Sequence, residues 1–284
     1  MDKGLKDQAR KIIDTALSED AAGNDITTEL IVPCAVAGKG SFLVKSTGVL
    51  AGAEIAGMVF TTVDPSLVFN VLKSDGDTVA IGDVVATVEG NLSSILRSER
   101  VALNFLQHLS GIATQTALYV DAVSGYKAGI YDTRKTTPGL RDLEKYAVKM
   151  GGGTNHRRDL GDGILIKDNH LAAAALTGQS TEDAVKRAKA GAPSGAAIEV
   201  EVETVEQARQ ALDGGADILL LDNMSADDMS AVVEMAQGRA LLEASGGVTL
   251  DTVRAIAETG VDRISVGALT HSVKALDISL EIEV

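Results

Sequence analysis

Residues 163–170 read GILIKDNH. Gly163 leads three apolar residues, which look like a buried strand. Lys167, Asp168, Asn169 and His170 then follow with no turn residue between. A cation at the end of a core strand persists only if a counter-charge or a ligand meets it. The same rhythm repeats on either side of this stretch. From about residue 129 the short apolar runs AGIYD, GILIKD, AIEVEVE, DILLLDN, ALLEAS and RISVGA alternate with helical patterns such as STEDAVKRAKAG, TVEQARQALDGG and SADDMSAVVEMAQG. Ser180 and Asp183, Thr204 and Gln207, and Ser225 and Asp228 have capping-box spacing, and most of the helical patterns end in Gly. Such alternation predicts a parallel sheet with right-handed crossovers. Six units after a long lead-in helix suit an α/β barrel better than an open sheet. No GxGxxG follows the first run, so a dinucleotide-binding fold loses support.

Upstream the pattern changes. Residues 1–20 form an amphipathic helical pattern. Within residues 38–92, GKGSFLVKS, LVFNVLKSDGD and DVVATVEGN are short β-like runs broken by Gly and Asp, which predicts a small sheet domain. A long helical pattern then runs from about residue 94 to 123, with Leu96, Leu103, Leu106 and Leu109 among its apolar positions. The 284 residues give room for a barrel and a second, smaller domain.

Composition narrows the function. No apolar run approaches the roughly 18 residues of a membrane span, and the N-terminal stretch lacks the apolar core of a secretory leader. A single cysteine, Cys34, excludes an intrachain disulfide and a cysteine metal site. The expectation is a cytoplasmic protein without a membrane partner. A net charge of −14, with no Trp and only four Phe and four Tyr, argues against nucleic acid as a partner. The charge is uneven, however. Residues 131–170 hold eight Lys/Arg against six Asp/Glu, whereas the rest of the chain holds 18 against 34. Cations concentrated in one segment of an acidic protein are either a solvated basic face or a pocket for a small anion.

Position favours the pocket. A parallel barrel builds its site from the carboxyl ends of its strands, and here each run ends in charge or glycine. Asp132, Thr133, Arg134 and Lys135 follow the first run, and Lys167 the second. Glu199, Glu201 and Glu203 alternate onto one face of the third. Asp222 and Asn223 end the fourth. Glu243, Ser245, Gly246 and Gly247 lie at the end of the fifth, and Val266, Gly267 and Ala268 at the end of the sixth. Singly, each has a plain reading: Asp222 as a helix cap, Glu199 or Glu203 as solvent-facing, SGG as a turn, His156 as a surface histidine. Jointly, they place Arg134, Lys135 and Lys167 across one mouth from Glu201 and Asp222. The SGG and VGA segments offer backbone N–H groups of the kind that hold phosphate. The two acidic groups suit Mg²⁺ bound together with substrate phosphates. The basic groups suit carboxylates, with Arg134 and Arg157 supplying bidentate geometry and His156 a further donor. The residues alone point to a barrel enzyme that binds a phosphorylated sugar, Mg²⁺ and a small polyanion, a description that a decarboxylase or an aldolase also meets.

At YDTRKTTPGLRDLEKYAVKMGGGTNHRRDLGDGILIKDNH (131–170) the sequence resembles the quinolinate phosphoribosyltransferases. The likeness extends through NDITT, TGVLAGAEIA, ERVALNFLQHLSGIAT, IEVEVET, LLLDNM, LEASGGV and SVGALTHS. It implies the type II phosphoribosyltransferase architecture. An N-terminal α/β sandwich over residues 1–110, joined by 272–284, accompanies a seven-stranded α/β barrel over 111–271. It implies transfer of phosphoribose from phosphoribosyl pyrophosphate to quinolinate with decarboxylation, giving nicotinate mononucleotide, pyrophosphate and CO₂, with Mg²⁺ as cofactor. By the same resemblance, Arg134, His156, Arg157 and Lys167 bind the carboxylates and phosphates, beside Thr133 and Lys135. Glu201 and Asp222 hold the ribose and Mg–pyrophosphate, touching the metal directly or only through the substrate complex. Lys135, Lys167, Glu201 and Asp222 are the expected catalytic group. Ser245, Gly246, Gly247, Val266, Gly267 and Ala268 cradle the 5′-phosphate. Arg100 crosses from the partner of a homodimer, with a larger assembly of dimers as the alternative. A molybdenum-transport-associated paralogue of the same fold and a non-catalytic phosphate-ligand sensor are the rival readings. The complete IKDNH and SGG motifs and the acidic pair favour the enzyme.

Overall fold

A computed structural model describes residues 1–283. Its strands, in chain order, are β1 (Ala37–Val44), β2 (Gly48–Val49), β3 (Val68–Val71), β4 (Thr78–Val79), β5 (Val84–Asn91), β6 (Gly129–Tyr131), β7 (Ile164–Ile166), β8 (Ile198–Val202), β9 (Ile218–Asp222), β10 (Leu241–Ser245), β11 (Arg263–Ser265) and β12 (Ile278–Glu283). The chain divides into two compact units. One comprises Met1–Ala117, Thr136–Gly152 and Leu269–Val284, and the other Leu118–Lys135 and Gly153–Ala268.

The first unit holds a four-stranded antiparallel sheet in the order β12-β1-β5-β3 and a two-stranded pair, β2-β4. Its C-terminal strand returns to the first, with Val44 opposite Ile278. On β1 the period-two pattern buries Phe42 and Val44. Phe42 meets Phe60 and Phe69 edge-on, with ring centroids 5.8 and 5.7 Å away. Three of the chain's four phenylalanines therefore form one cluster, and burying each such ring contributes about 1.5–3 kcal/mol. The expected long helix spans Leu92–Ala122. Leu103, Leu106 and Leu109 are buried on it, while Leu96 is only partly covered.

The second unit is a parallel sheet whose strands are the six apolar runs, in the order β6-β11-β10-β9-β8-β7. The run Ile218–Leu221 in β9 is buried at every residue. That is why ILLL shows no alternation: both faces of the strand are covered. The expected seventh strand is reduced to a single parallel bridge, Tyr131 with Thr154. The sequence there, GGGTNHRR, has no apolar run to extend a ladder. The bridge still fixes the chain, since Thr154 N donates to Ile130 O at 2.8 Å and Asp132 N to Thr154 O at 3.1 Å.

Local signals set the helix ends. The side chains of Ser180, Thr204 and Ser225 each accept from the main-chain N–H three residues on, satisfying donors that a helix start leaves unpaired. Gly215 ends the helix Val205–Gly214 at φ +88°, a conformation that suits a residue without Cβ.

Candidate active site

The carboxyl ends of β6 to β11 border a cavity of about 420 Å³. Thr133, Arg134 and Lys135 reach it just past β6, and Lys167 just past β7. Glu201, Asp222, Ser245 and Ser265 reach it from β8 to β11. His156 and Arg157 enter from the segment that the Thr154 bridge positions. There Asp132, fully buried, accepts the His156 main-chain N–H at 2.8 Å.

Lys167 answers the question posed by GILIKDNH. The strand ends at Ile166 and the helix Asp168–Ala175 begins one residue after Lys167. Lys167 is therefore the residue between them, in extended conformation (φ −105°, ψ 167°). Its Nζ lies 2.6 Å from Glu201 Oε2, with the lysine side chain 45 % exposed and the glutamate 12 %. A pair this open contributes at most about 1 kcal/mol to the fold, so its consequence is placement of an ammonium at the mouth. His170 Nδ1 accepts the Lys167 main-chain N–H at 2.9 Å and completes the turn.

Two guanidiniums share the cavity. Burial depresses the Arg157 pKa, and the nearby positive charge of Arg134 depresses it further. Like charges held together in a partly dry site favour an anion that neutralises both. On the acidic side, Asp222 lies opposite Ser245 in the β9–β10 register. Asn223 fastens these strand ends: its N–H donates to Ser245 O at 2.9 Å and its Nδ2 to Asp222 Oδ2 at 2.8 Å. Gly246, at φ +90°, lies so close that a Cβ there would meet Asn223 Oδ1 at 2.3 Å.

His156 is the most strongly perturbed group of the site. Burial disfavours charge on its ring, but hydrogen bonds to Glu199 and Glu243 outweigh burial and raise its pKa to about 9. Nε2 is 3.2 Å from Glu199 Oε1 and 3.2 Å from Glu243 Oε1. The three donor atoms lie within 4.8 Å of one another, a spacing that a metal ion also accepts. The proton chemistry opposes a metal there. With its pKa raised to about 9 the ring holds a proton on Nε2 at neutral pH, where a metal would have to bind, and Nδ1 stands 2.7 Å from the Arg157 main-chain N. Arg263 Nη1 also stands 3.8 Å from Glu243 Oε2.

Of the residues expected from sequence, Thr133, Arg134, Lys135, His156, Arg157, Lys167, Glu201, Asp222 and Ser245 border one cavity. Gly246 and Gly247 follow directly on the end of β10, and Val266, Gly267 and Ala268 on that of β11. Arg100, a residue of the first unit, is exposed on the helix Leu92–Ala122. Sequence reasoning placed Asp132 and Glu243 at strand ends without a specific role and passed over Ser265; Glu199 stood on the face of Glu201, with a solvent-facing position as the plain alternative, and it is buried. The alternation that puts Glu199 on the same face as Glu201 was the available signal.

Known proteins match this frame. The quinolinate phosphoribosyl transferase N-terminal domain matches residues 25–110 and the C-terminal domain residues 112–281. The chain belongs to the quinolinate phosphoribosyltransferase family. Among its relatives, a nicotinate-nucleotide pyrophosphorylase [carboxylating] of Mycobacterium leprae is 45 % identical over 282 residues, covering 97 % of this chain and 98 % of that protein. A probable enzyme of the same name from Bacillus subtilis is 43 % identical over 278 residues, 97 % of this chain and 93 % of that protein. The solved nicotinate-nucleotide pyrophosphorylase of Francisella tularensis superposes with a TM-score of 0.92 at 39 % identity, covering 98 % of this chain and 96 % of that one. The family match thus embraces both the small sheet and the parallel sheet, and the DTRKT-to-IKDNH segment that carried the resemblance lies within the matched C-terminal domain.

Proposed function

We propose that the cavity at the carboxyl ends of β6 to β11 carries out the family's reaction. Phosphoribosyl transfer from phosphoribosyl pyrophosphate to quinolinate, with decarboxylation, gives nicotinate mononucleotide, pyrophosphate and CO₂. The chain is a pentosyltransferase of NAD biosynthesis. The observation that carries the reading is the crowding of Arg134 and Arg157 in a pocket that also holds Lys135 and Lys167. Four cations in one cavity of a protein with net charge −14 fit a dicarboxylate and a phosphorylated sugar.

In this reading Arg134, Arg157 and Lys167 clamp the two carboxylates, with Thr133 and Lys135 beside them. The clamp aims the ring nitrogen at C1 of the ribose. Glu201 and Asp222 face the ribose and favour positive charge as it develops at C1. Ser245 to Gly247 and Val266 to Ala268 receive the 5′-phosphate through main-chain N–H groups. Once the ring nitrogen carries the ribose it is quaternary and draws electrons, so the C2–carboxylate bond breaks with its pair left on the ring and CO₂ departs. A proton then fills C2. Lys135 and Lys167 offset the charge of the leaving pyrophosphate.

The donor set fits Mg²⁺. Glu201 and Asp222 supply only oxygen, on neighbouring strands, beside a cavity large enough for phosphates. Because Glu201 is already held by Lys167 at 2.6 Å, the ion would rest mainly on substrate oxygens and Asp222. When bound, it would neutralise pyrophosphate charge. We further propose a homodimer, open to larger assembly, in which Arg100 serves the partner's site; the exposure of Arg100 supports this. We also propose that the chain works in the cytoplasm, whose reducing conditions suit an exposed thiol such as Cys34. Among the described residues, no helix is long and apolar enough to cross a membrane.

Calorimetric titration tests the clamp. Quinolinate is expected to bind on the order of ten-fold tighter than nicotinate, which lacks one carboxylate, since a charged hydrogen-bonded contact has about that effect. Equal binding of the two acids would refute the assignment.

A further inference from the structure

His156 enters the site as an expected substrate ligand, yet its ring nitrogens face protein. Nε2 lies 3.2 Å from Glu199 and from Glu243, and Nδ1 lies 2.7 Å from the Arg157 main-chain N. Its side chain is only 10 % exposed. One of the two carboxylates is itself held. Glu243 is fully buried, its Oε1 accepts from Ser265 Oγ, and Arg263 stands 3.8 Å from its Oε2. Arg263 in turn lies over the Tyr131 ring, 5.0 Å from the centroid.

Arg157 has two places to go. It borders the cavity at the carboxyl ends of the strands and also a second cavity of about 290 Å³. The second is lined by Ile164, Ala197, Ile218 and Arg263, at the opposite ends of the strands. Among the described contacts, one that touches the Arg157 main chain is that of His156 Nδ1. We propose that Glu199, Glu243 and His156 form a positioning cluster. The carboxylates orient the imidazole, and the imidazole sets the main chain of Arg157 so that its guanidinium serves the quinolinate side of the cavity. None of the three is a catalytic residue in this assignment. The proposal rests on the reading of that cavity as the quinolinate site. Asp132, just past β6, holds the His156 main chain; Arg157 meets the like charge of Arg134 and the opposite charges of Glu199 and of Asp162, the last a residue of the second cavity that the cluster must counter.

The test is a double-mutant cycle on steady-state kinetics, with thermal unfolding as the folding control. Wild-type turnover is measured first; its absence would refute the function itself, not the positioning. Glu243→Gln keeps the volume and removes the charge that orients the ring. It is expected to raise KM for quinolinate on the order of ten-fold, with kcat and the KM for phosphoribosyl pyrophosphate within about two-fold. Arg157→Lys is expected to raise the same KM. The double variant is expected to be no worse than Arg157→Lys alone, because Glu243 acts through Arg157. Additive losses, an equal rise in both KM values, or no change in Glu243→Gln would overturn the proposal. Should Glu243→Gln fail to fold, Glu199→Gln carries the same cycle from the other carboxylate, with the same outcomes deciding.

Discussion

Gly246→Ala is a single-methyl change whose effect follows from the geometry of the β9 and β10 ends. The residue sits at φ +90°, and a Cβ there would fall 2.3 Å from Asn223 Oδ1 and 2.4 Å from its Cγ. The backbone conformation costs an alanine about 1–2 kcal/mol. The overlap must also push the Asn223 amide away, and with it the 2.8 Å bond from Nδ2 to Asp222 Oδ2, a loss of about 1 kcal/mol. Together the change costs about 2–3 kcal/mol, or a fall in Tm of several degrees at about 2–4 °C per kcal/mol. The displaced group borders Asp222 and the proposed phosphate cradle. KM for phosphoribosyl pyrophosphate should therefore rise more than KM for quinolinate. Differential scanning calorimetry and initial-rate kinetics check both parts. An alanine variant with wild-type Tm and wild-type KM values would refute the reasoning about this strand end.

Three further outcomes follow. Lys167→Ala and Arg134→Ala should each lose turnover by at least about 100-fold while keeping the unfolding transition of the parent, and near-full kcat/KM in either would contradict their roles. Arg100→Ala mixed with Lys167→Ala should regain activity through hybrid dimers, measured after demonstrated subunit exchange; no recovery would count against a shared site. The His156 pKa, raised to about 9 by Glu199 and Glu243 against burial, predicts a pH effect with a definite sign. A raised folded-state pKa adds stability that is fully present below about pH 6.5 and is lost as pH climbs through about 9, at most about 3 kcal/mol. Chemical denaturation of the parent should show this alkaline loss, and His156→Asn should flatten it.

Much of the fold is legible in the sequence because each barrel strand is a short apolar run bounded by helical periodicity. AGIYD through RISVGA became β6 to β11, and Ser180, Thr204 and Ser225 cap the helices their spacing indicated. The missing seventh strand was not legible because one bridge at Thr154 leaves no hydrophobic pattern. The site was legible where a strand ends in charge, as at Lys167 and Asp222. It was not where the residue lies inside the strand. Glu199 and Glu243 matter through His156, a residue of another segment, and only the sheet order brings these three together. Arg100 read as a helix-surface cation for a similar reason: its proposed partner is on another chain.

The most direct test of the central claim is stoichiometric turnover. The chain is incubated with quinolinate labelled in the 2-carboxylate, phosphoribosyl pyrophosphate and Mg²⁺, and labelled CO₂ and nicotinate mononucleotide are measured together. One CO₂ per mononucleotide, with none formed when nicotinate replaces quinolinate, is the expected result. Absence of both products from folded protein, or equal use of nicotinate, would contradict it.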